Sequence, residues 1–121
     1  MSTRSFIAIK KEDGYEGIYC HFDGYPEGVG KILYRHYKDE KKVKELIALG
    51  NISSLGEEIG NKHDFNDRPD NETTAYGRDR GEAETKPTFC ATKAELKDVA
   101  SECSCEYLYI FENEKWYMVK L

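Results

Sequence analysis

A histidine and a carboxylate two residues apart, His21 and Asp23, are the first residues in the chain whose types could do chemistry. They lie in Tyr19-Cys20-His21-Phe22-Asp23-Gly24-Tyr25-Pro26-Glu27-Gly28-Val29-Gly30. Alternation sets Ile18, Cys20 and Phe22 on one side of an extended chain and Tyr19, His21 and Asp23 on the other. Such a pair could move a proton, with Asp23 orienting the imidazole or holding a cation. Asp23-Gly24 suits a turn with glycine at positive φ, and Pro26 with Glu27 suits the first turn of a helix. The amides of residues 25 to 28 would then stand beside His21 and Asp23 as a place for an anion. A turn in which Asp23 merely closes strand onto helix accounts for the same residues.

The second such stretch is Gly77-Arg78-Asp79-Arg80-Gly81-Glu82. Guanidinium groups meet phosphate or carboxylate oxygens two at a time, and flanking glycines allow a close, curved backbone. The alternative is an exposed turn whose arginines pair with nearby acids, each pair contributing only ~0–1 kcal/mol. The candidate ligand-binding residues are therefore Tyr19, His21, Asp23, Tyr25, Tyr76, Arg78 and Arg80, with arginines for phosphate and tyrosines for a base. No catalytic residue, cofactor or metal ligand is assigned. Cys103-Ser104-Cys105 could join His21 or His63 in a metal site, but zinc pairs are usually spaced two to four residues apart and need a second pair. Buried, inert thiols are expected instead.

The elements that must position these groups follow from periodicity. Residues 4 to 10 and 16 to 22 read as a hairpin around Glu12-Asp13-Gly14. Residues 26 to 37 switch to a helical period, and Asp39 caps a second helix over 40 to 49, ended by Gly50. Residues 51 to 56 read as a turn or one turn of helix, and 56 to 72 as a long surface loop anchored by Phe65. A short strand at 73 to 76 delivers the arginines. Thr92 and Glu95 form a capping box for a third helix over 93 to 103, and strands at 106 to 111 and 115 to 121 close the chain. The fold class expected is α+β, a mainly antiparallel sheet of four or five strands with three helices packed on one face, in a single domain over 1–121. Tyr107, Tyr109 and Phe111 share one side of their strand. Joined to Tyr19 and His21, they would make a tyrosine-rich surface able to stack a base or meet a second subunit.

A net charge of -5 argues against direct nucleic-acid binding, which needs a basic face. No apolar run is long enough to span a membrane, and Met1-Ser2-Thr3-Arg4-Ser5 lacks a signal-peptide core, so a cytoplasmic protein is expected. The glycines of the first stretch do not fit nucleotide loops: the spacing to Lys31 is one residue too long for a P-loop, and Ile32 stands where Ser or Thr would hold magnesium.

Through Met1-Ser2-Thr3-Arg4-Ser5, Tyr19 to Gly30, Leu46 to Gly56 and Tyr76-Gly77-Arg78-Asp79-Arg80-Gly81-Glu82, the chain resembles a family of small proteins frequent in phages and prophages. The resemblance covers nearly the whole length and implies a bacterial host cell rather than a chemistry. Small phage proteins without an enzyme motif include many that counter host defences. Three functions are accordingly expected in order: a binding protein that sequesters a small anionic, nucleotide-derived ligand, with a homo-oligomer as one way to enclose it; an anti-CRISPR-like inhibitor of a host defence protein; and a small phosphoesterase or nucleotide hydrolase using His21 and Asp23.

Overall fold

The computed structural model describes residues 2–121. Its centre is β1, Ser5–Lys11, whose Phe6, Ile7, Ala8 and Ile9 are all buried. A continuous apolar run of this kind belongs to a strand covered on both faces. β2, Gly14–Cys20, folds back on β1 as an antiparallel hairpin. On the other flank β6, Tyr107–Glu112, lies parallel to β1 and is followed by β7, Lys115–Lys120. The β6–β7 turn is two residues, Asn113 and Glu114, both at positive φ (54° and 61°), which matches the twist of the paired strands.

Three short strands complete the sheet: β3, Ile52–Ser54, parallel to the end of β2; β4, Thr74–Ala75, antiparallel to β3; and β5, Thr88–Cys90, antiparallel to the start of β2. The order is β4-β3-β2-β1-β6-β7, with β5 also on β2. The α+β class is observed, but the sheet has seven strands and is mixed. The segment expected as a turn at 51 to 56 holds β3, and β5 is additional. Neither is long enough to show an alternating pattern.

The helical period at residue 26 begins as a five-residue π turn, Pro26–Gly30, and tightens into α1, Lys31–His36. α2, Glu40–Ala48, is capped by the Asp39 side chain, which accepts from the Lys41 amide at 3.3 Å. α3 is Tyr76–Arg80, and α4, Lys93–Glu102, starts with Thr92 Oγ1 accepting from the Glu95 amide at 3.1 Å. The helices do not share one face. Val29, Leu33, Tyr37, Val43, Leu46 and Ile47 pack on Ile7, Ile9 and Ile18, while Leu96 and Ala100 of α4 pack on Phe6, Ala8 and Leu108 across the sheet. Strands apolar on both sides require this second layer.

The expected tyrosine surface is therefore split. Tyr109 and Phe111 are buried with Trp116 in the α1/α2 core, and Tyr107 packs against it; Tyr19 packs on the α4 side. The Tyr109 hydroxyl donates to the Gly24 carbonyl at 2.7 Å, and Trp116 Nε1 to that of Tyr37 at 2.8 Å. β7 forms the outer edge of the sheet, with a lysine at each end and Tyr117 and Met118 exposed between them. Tyr34 reaches across to donate to the Trp116 carbonyl at 3.2 Å. Among the described residues no helix is long and apolar enough to cross a membrane.

Candidate functional site

The Gly77–Gly81 stretch is helix rather than open bend. α3 ends at Gly81, whose φ of 74° is the left-handed conformation that closes a helix, with its amide on the Gly77 carbonyl at 3.0 Å. Arg78 uses all five of its N–H groups inside the protein. Nε donates to Asp79 Oδ1 (2.9 Å), Nη1 to the carbonyls of Ile59 (2.9 Å) and Gly60 (3.1 Å), and Nη2 to the Thr73 carbonyl (2.7 Å) and Asp79 Oδ2 (3.1 Å). No donor remains for a phosphate, so Arg78 holds the long loop to β4 and leaves the set of ligand-binding candidates.

Asp79, whose side chain is fully buried, completes this clasp by accepting from the amides of Ala75 (2.8 Å) and His63 (3.1 Å). Burial alone would raise its pKa, but the hydrogen bonds from Arg78, Ala75 and His63 and the Arg78 charge outweigh it and hold the carboxyl below 3.8. His63 is tied in by both ring nitrogens, Nδ1 to the Asn61 carbonyl at 2.9 Å and Nε2 to Thr74 Oγ1 at 3.0 Å.

Arg80 points elsewhere. Its Nε donates to Glu82 Oε2 at 2.7 Å, and its guanidinium lies 4.5 Å from the Phe65 ring centre and 4.9 Å from that of Tyr76. Phe65 and Tyr76 stack at 5.6 Å, so Phe65 anchors the long loop as expected. A hollow of about 560 Å³ beside Arg80 is lined by residues including His63, Phe65 and Asp79, and by neither Tyr19 nor His21.

At the end of β2 the alternation does bring Tyr19 and His21 together. The Tyr19 hydroxyl is 2.7 Å from His21 Nδ1, and Ser2 Oγ is 3.1 Å from Nε2. Asp23 does not join them. It, and not Gly24, takes positive φ (57°), which ends the alternation and turns its carboxylate to the Tyr25 hydroxyl at 3.3 Å. Gly24 is needed for closeness instead: a Cβ there would stand 2.7 Å from that of Ser5 and 2.8 Å from the Thr3 carbonyl oxygen. Phe22 does not join the core, lying exposed with its ring edge-on to that of His21 at 4.6 Å. Of the amides at residues 25 to 28 expected to face an anion, that of Gly28 is taken up by the backbone. The amides of Gly24, Gly28 and Val29 are bonded to the carbonyls of Thr3, Tyr25 and Asp23, and Pro26 has none.

A residue that sequence reasoning passed over, Arg4, completes the corner. Its charge acts on Tyr19, His21 and Cys105. Its Nε is buried without a hydrogen-bond partner, and among the described residues no carboxylate lies within 4.0 Å of its guanidinium. Burial raises the Tyr19 phenol to about 12 against the opposing Arg4 charge, and Tyr76 is near enough to add to that rise. Burial first, and then Arg4, lower the His21 pKa below 6.5, so the imidazole is neutral at neutral pH. The Arg78 charge acts instead on Tyr37, in the α1/α2 core. Tyr19 and His21 thus meet at this corner within reach of the Arg4 charge, and Tyr76 is near enough to act on Tyr19. Arg80 borders it through its stack on Tyr76.

All four cysteines are free. Burial pushes the thiols of Cys20 and Cys105 up to about 12, far from the thiolate form that binds metal. Among the described residues no three His, Cys, Asp or Glu side chains gather as a metal site. Compared with protein-family models, curated proteins and solved structures, the chain matches none.

Proposed function

We propose that the protein binds a small anionic, nucleotide-derived ligand on the face formed by Arg4, Tyr19, His21 and Tyr76, with Arg80 at its margin. The observation that carries this reading is Arg4. In a chain of net charge -5, its guanidinium has no carboxylate, and its buried Nε has no acceptor. A buried donor left unsatisfied costs about 1–3 kcal/mol, which a phosphate oxygen would offset. Tyrosine rings beside it offer flat apolar area and a hydroxyl for a base. Asp23, Tyr25 and Arg78 have no part in this face. The phage and prophage resemblance gives such binding a setting, withdrawal of a nucleotide signal used in host defence.

Calorimetry against cyclic nucleotides and ADP-ribose derivatives tests it. Arg4→Gln should weaken binding at least tenfold, about 1.4 kcal/mol. Absence of heat with every compound, or unchanged affinity in Arg4→Gln, overturns it. A second reading, inhibition of a host defence protein, draws support from the exposed Tyr34, Tyr117 and Met118 beside the open β7 edge. A stoichiometric protein partner whose affinity falls when Tyr117 is changed would favour it.

A further inference from the structure

We propose that Ser2 and His21 are a nucleophile and its general base, acting on a phosphoester at the same corner. It rests on the binding reading only for the part played by Arg4. The hydroxyl oxygen of Ser2 lies 3.1 Å from His21 Nε2, and the opposite nitrogen is held by the Tyr19 hydroxyl at 2.7 Å. Nucleophile, base and a third group orienting the base form the arrangement by which a serine becomes reactive. Ser2, from near the start of the chain, meets Tyr19 and His21 at the end of β2, and Asp23, the partner that spacing suggested for His21, is replaced by Tyr19. With Nδ1–H donating to the Tyr19 oxygen, Nε2 carries the lone pair that faces Ser2. The lowered proton affinity of this half-buried imidazole keeps that lone pair free at neutral pH.

The reaction balances with water as the only co-reactant. Ser2 Oγ attacks phosphorus while its proton passes to His21 Nε2. The bond from phosphorus to the leaving alcohol breaks, and that oxygen takes the proton from Nε2. Water then attacks the phosphoseryl phosphorus, giving a proton to Nε2, and the Ser2 oxygen leaves and recovers it. Phosphate or a phosphomonoester is released. Arg4 supplies positive charge for the phosphoryl oxygens throughout. Ser2 and His21 are the catalytic residues, and Tyr19 is a positioning residue.

Two probes test the pair, a fluorophosphonate and bis(4-nitrophenyl) phosphate. The first should displace fluoride and leave one adduct, located on Ser2 by mass spectrometry. The second should release 4-nitrophenolate. Ser2→Ala should abolish both, and His21→Gln should slow both by about 100-fold or more, the lower range for loss of a general base. Tyr19→Phe should lower kcat with KM unchanged and displace the limb of the pH profile set by His21, a change that loss of packing alone would not cause. No adduct and no nitrophenolate from protein that still binds a nucleotide overturns this inference and leaves the binding reading. Equal labelling in His21→Gln overturns the pairing. Labelling of Ser2 without binding of any nucleotide overturns the binding reading alone.

Discussion

Arg78 meets five acceptors with its five N–H groups, whereas Arg4, near the end of β2, finds no carboxylate and leaves its Nε without an acceptor. The two residues carry the same group in surroundings of similar depth. Around Arg78 the acceptors are three backbone carbonyls, from two places in the chain, and one buried carboxylate, so the guanidinium replaces secondary structure where the long loop has none. Around Arg4 the groups its charge acts on are a phenol, an imidazole and a thiol, which cannot balance a full positive charge. The lesson is that a guanidinium whose donors are all matched internally holds a fold together. One left short is where a ligand gains most.

The comparison breaks most visibly through the clasp. Asp79→Asn, or Arg78→Ala, should destabilise the protein by about 3–5 kcal/mol in urea denaturation, the range for removing one partner of a buried pair. Arg4→Gln should not lower the midpoint. If both arginines prove equally important to stability, the distinction fails. The Asp79 contribution is complete above pH 3.8, because unfolded carboxyl takes up protons there first, and it is lost as pH falls through the lower folded value.

An intermediate effect lies in the corner. The folded His21 binds its proton less tightly than the unfolded one, so its stabilising contribution is complete above pH 6.5 and lost as pH falls through the depressed folded value. Arg4→Gln removes one of the two causes of that depression. The His21 midpoint, followed by NMR, should move up towards 6.5; an unmoved midpoint would separate Arg4 from the corner. The smallest effect belongs to Arg80→Ala, which loses a half-exposed pair with Glu82 and a stack on Phe65 and Tyr76, about 0.5–1 kcal/mol.

Local periodicity made much of the fold legible. The two hairpins, the cap at Asp39 and the start of α4 at Thr92 follow from patterns a few residues long. The meeting of Tyr19 and His21 needed only the period of a strand. What stayed hidden depends on long-range partners. Arg78 and Arg80 look alike in the sequence, and only the placement of Ile59, Gly60 and Thr73 separates a clasp from a surface stack. Asp23 shares the parity of His21, but a single left-handed residue cancels it. Arg4 had no neighbour in sequence to mark it, because the groups its charge acts on arrive from the end of β2 and from the segment before β6. The second layer on the sheet was readable in part, since Phe6, Ile7, Ala8 and Ile9 leave no polar side for β1 to expose.

The lysines that bracket β7 bear on how the molecule behaves in concentrated solution. A second copy adding to that rim in antiparallel fashion would bring Lys115 of one chain opposite Lys120 of the other, and again at the far end, so like charges oppose extension of the sheet from molecule to molecule. Tyr34 already occupies the Trp116 carbonyl, removing one rung that a growing ribbon would need. The charges thereby act against edge-to-edge pairing at the very strand where Tyr117 and Met118 lie bare.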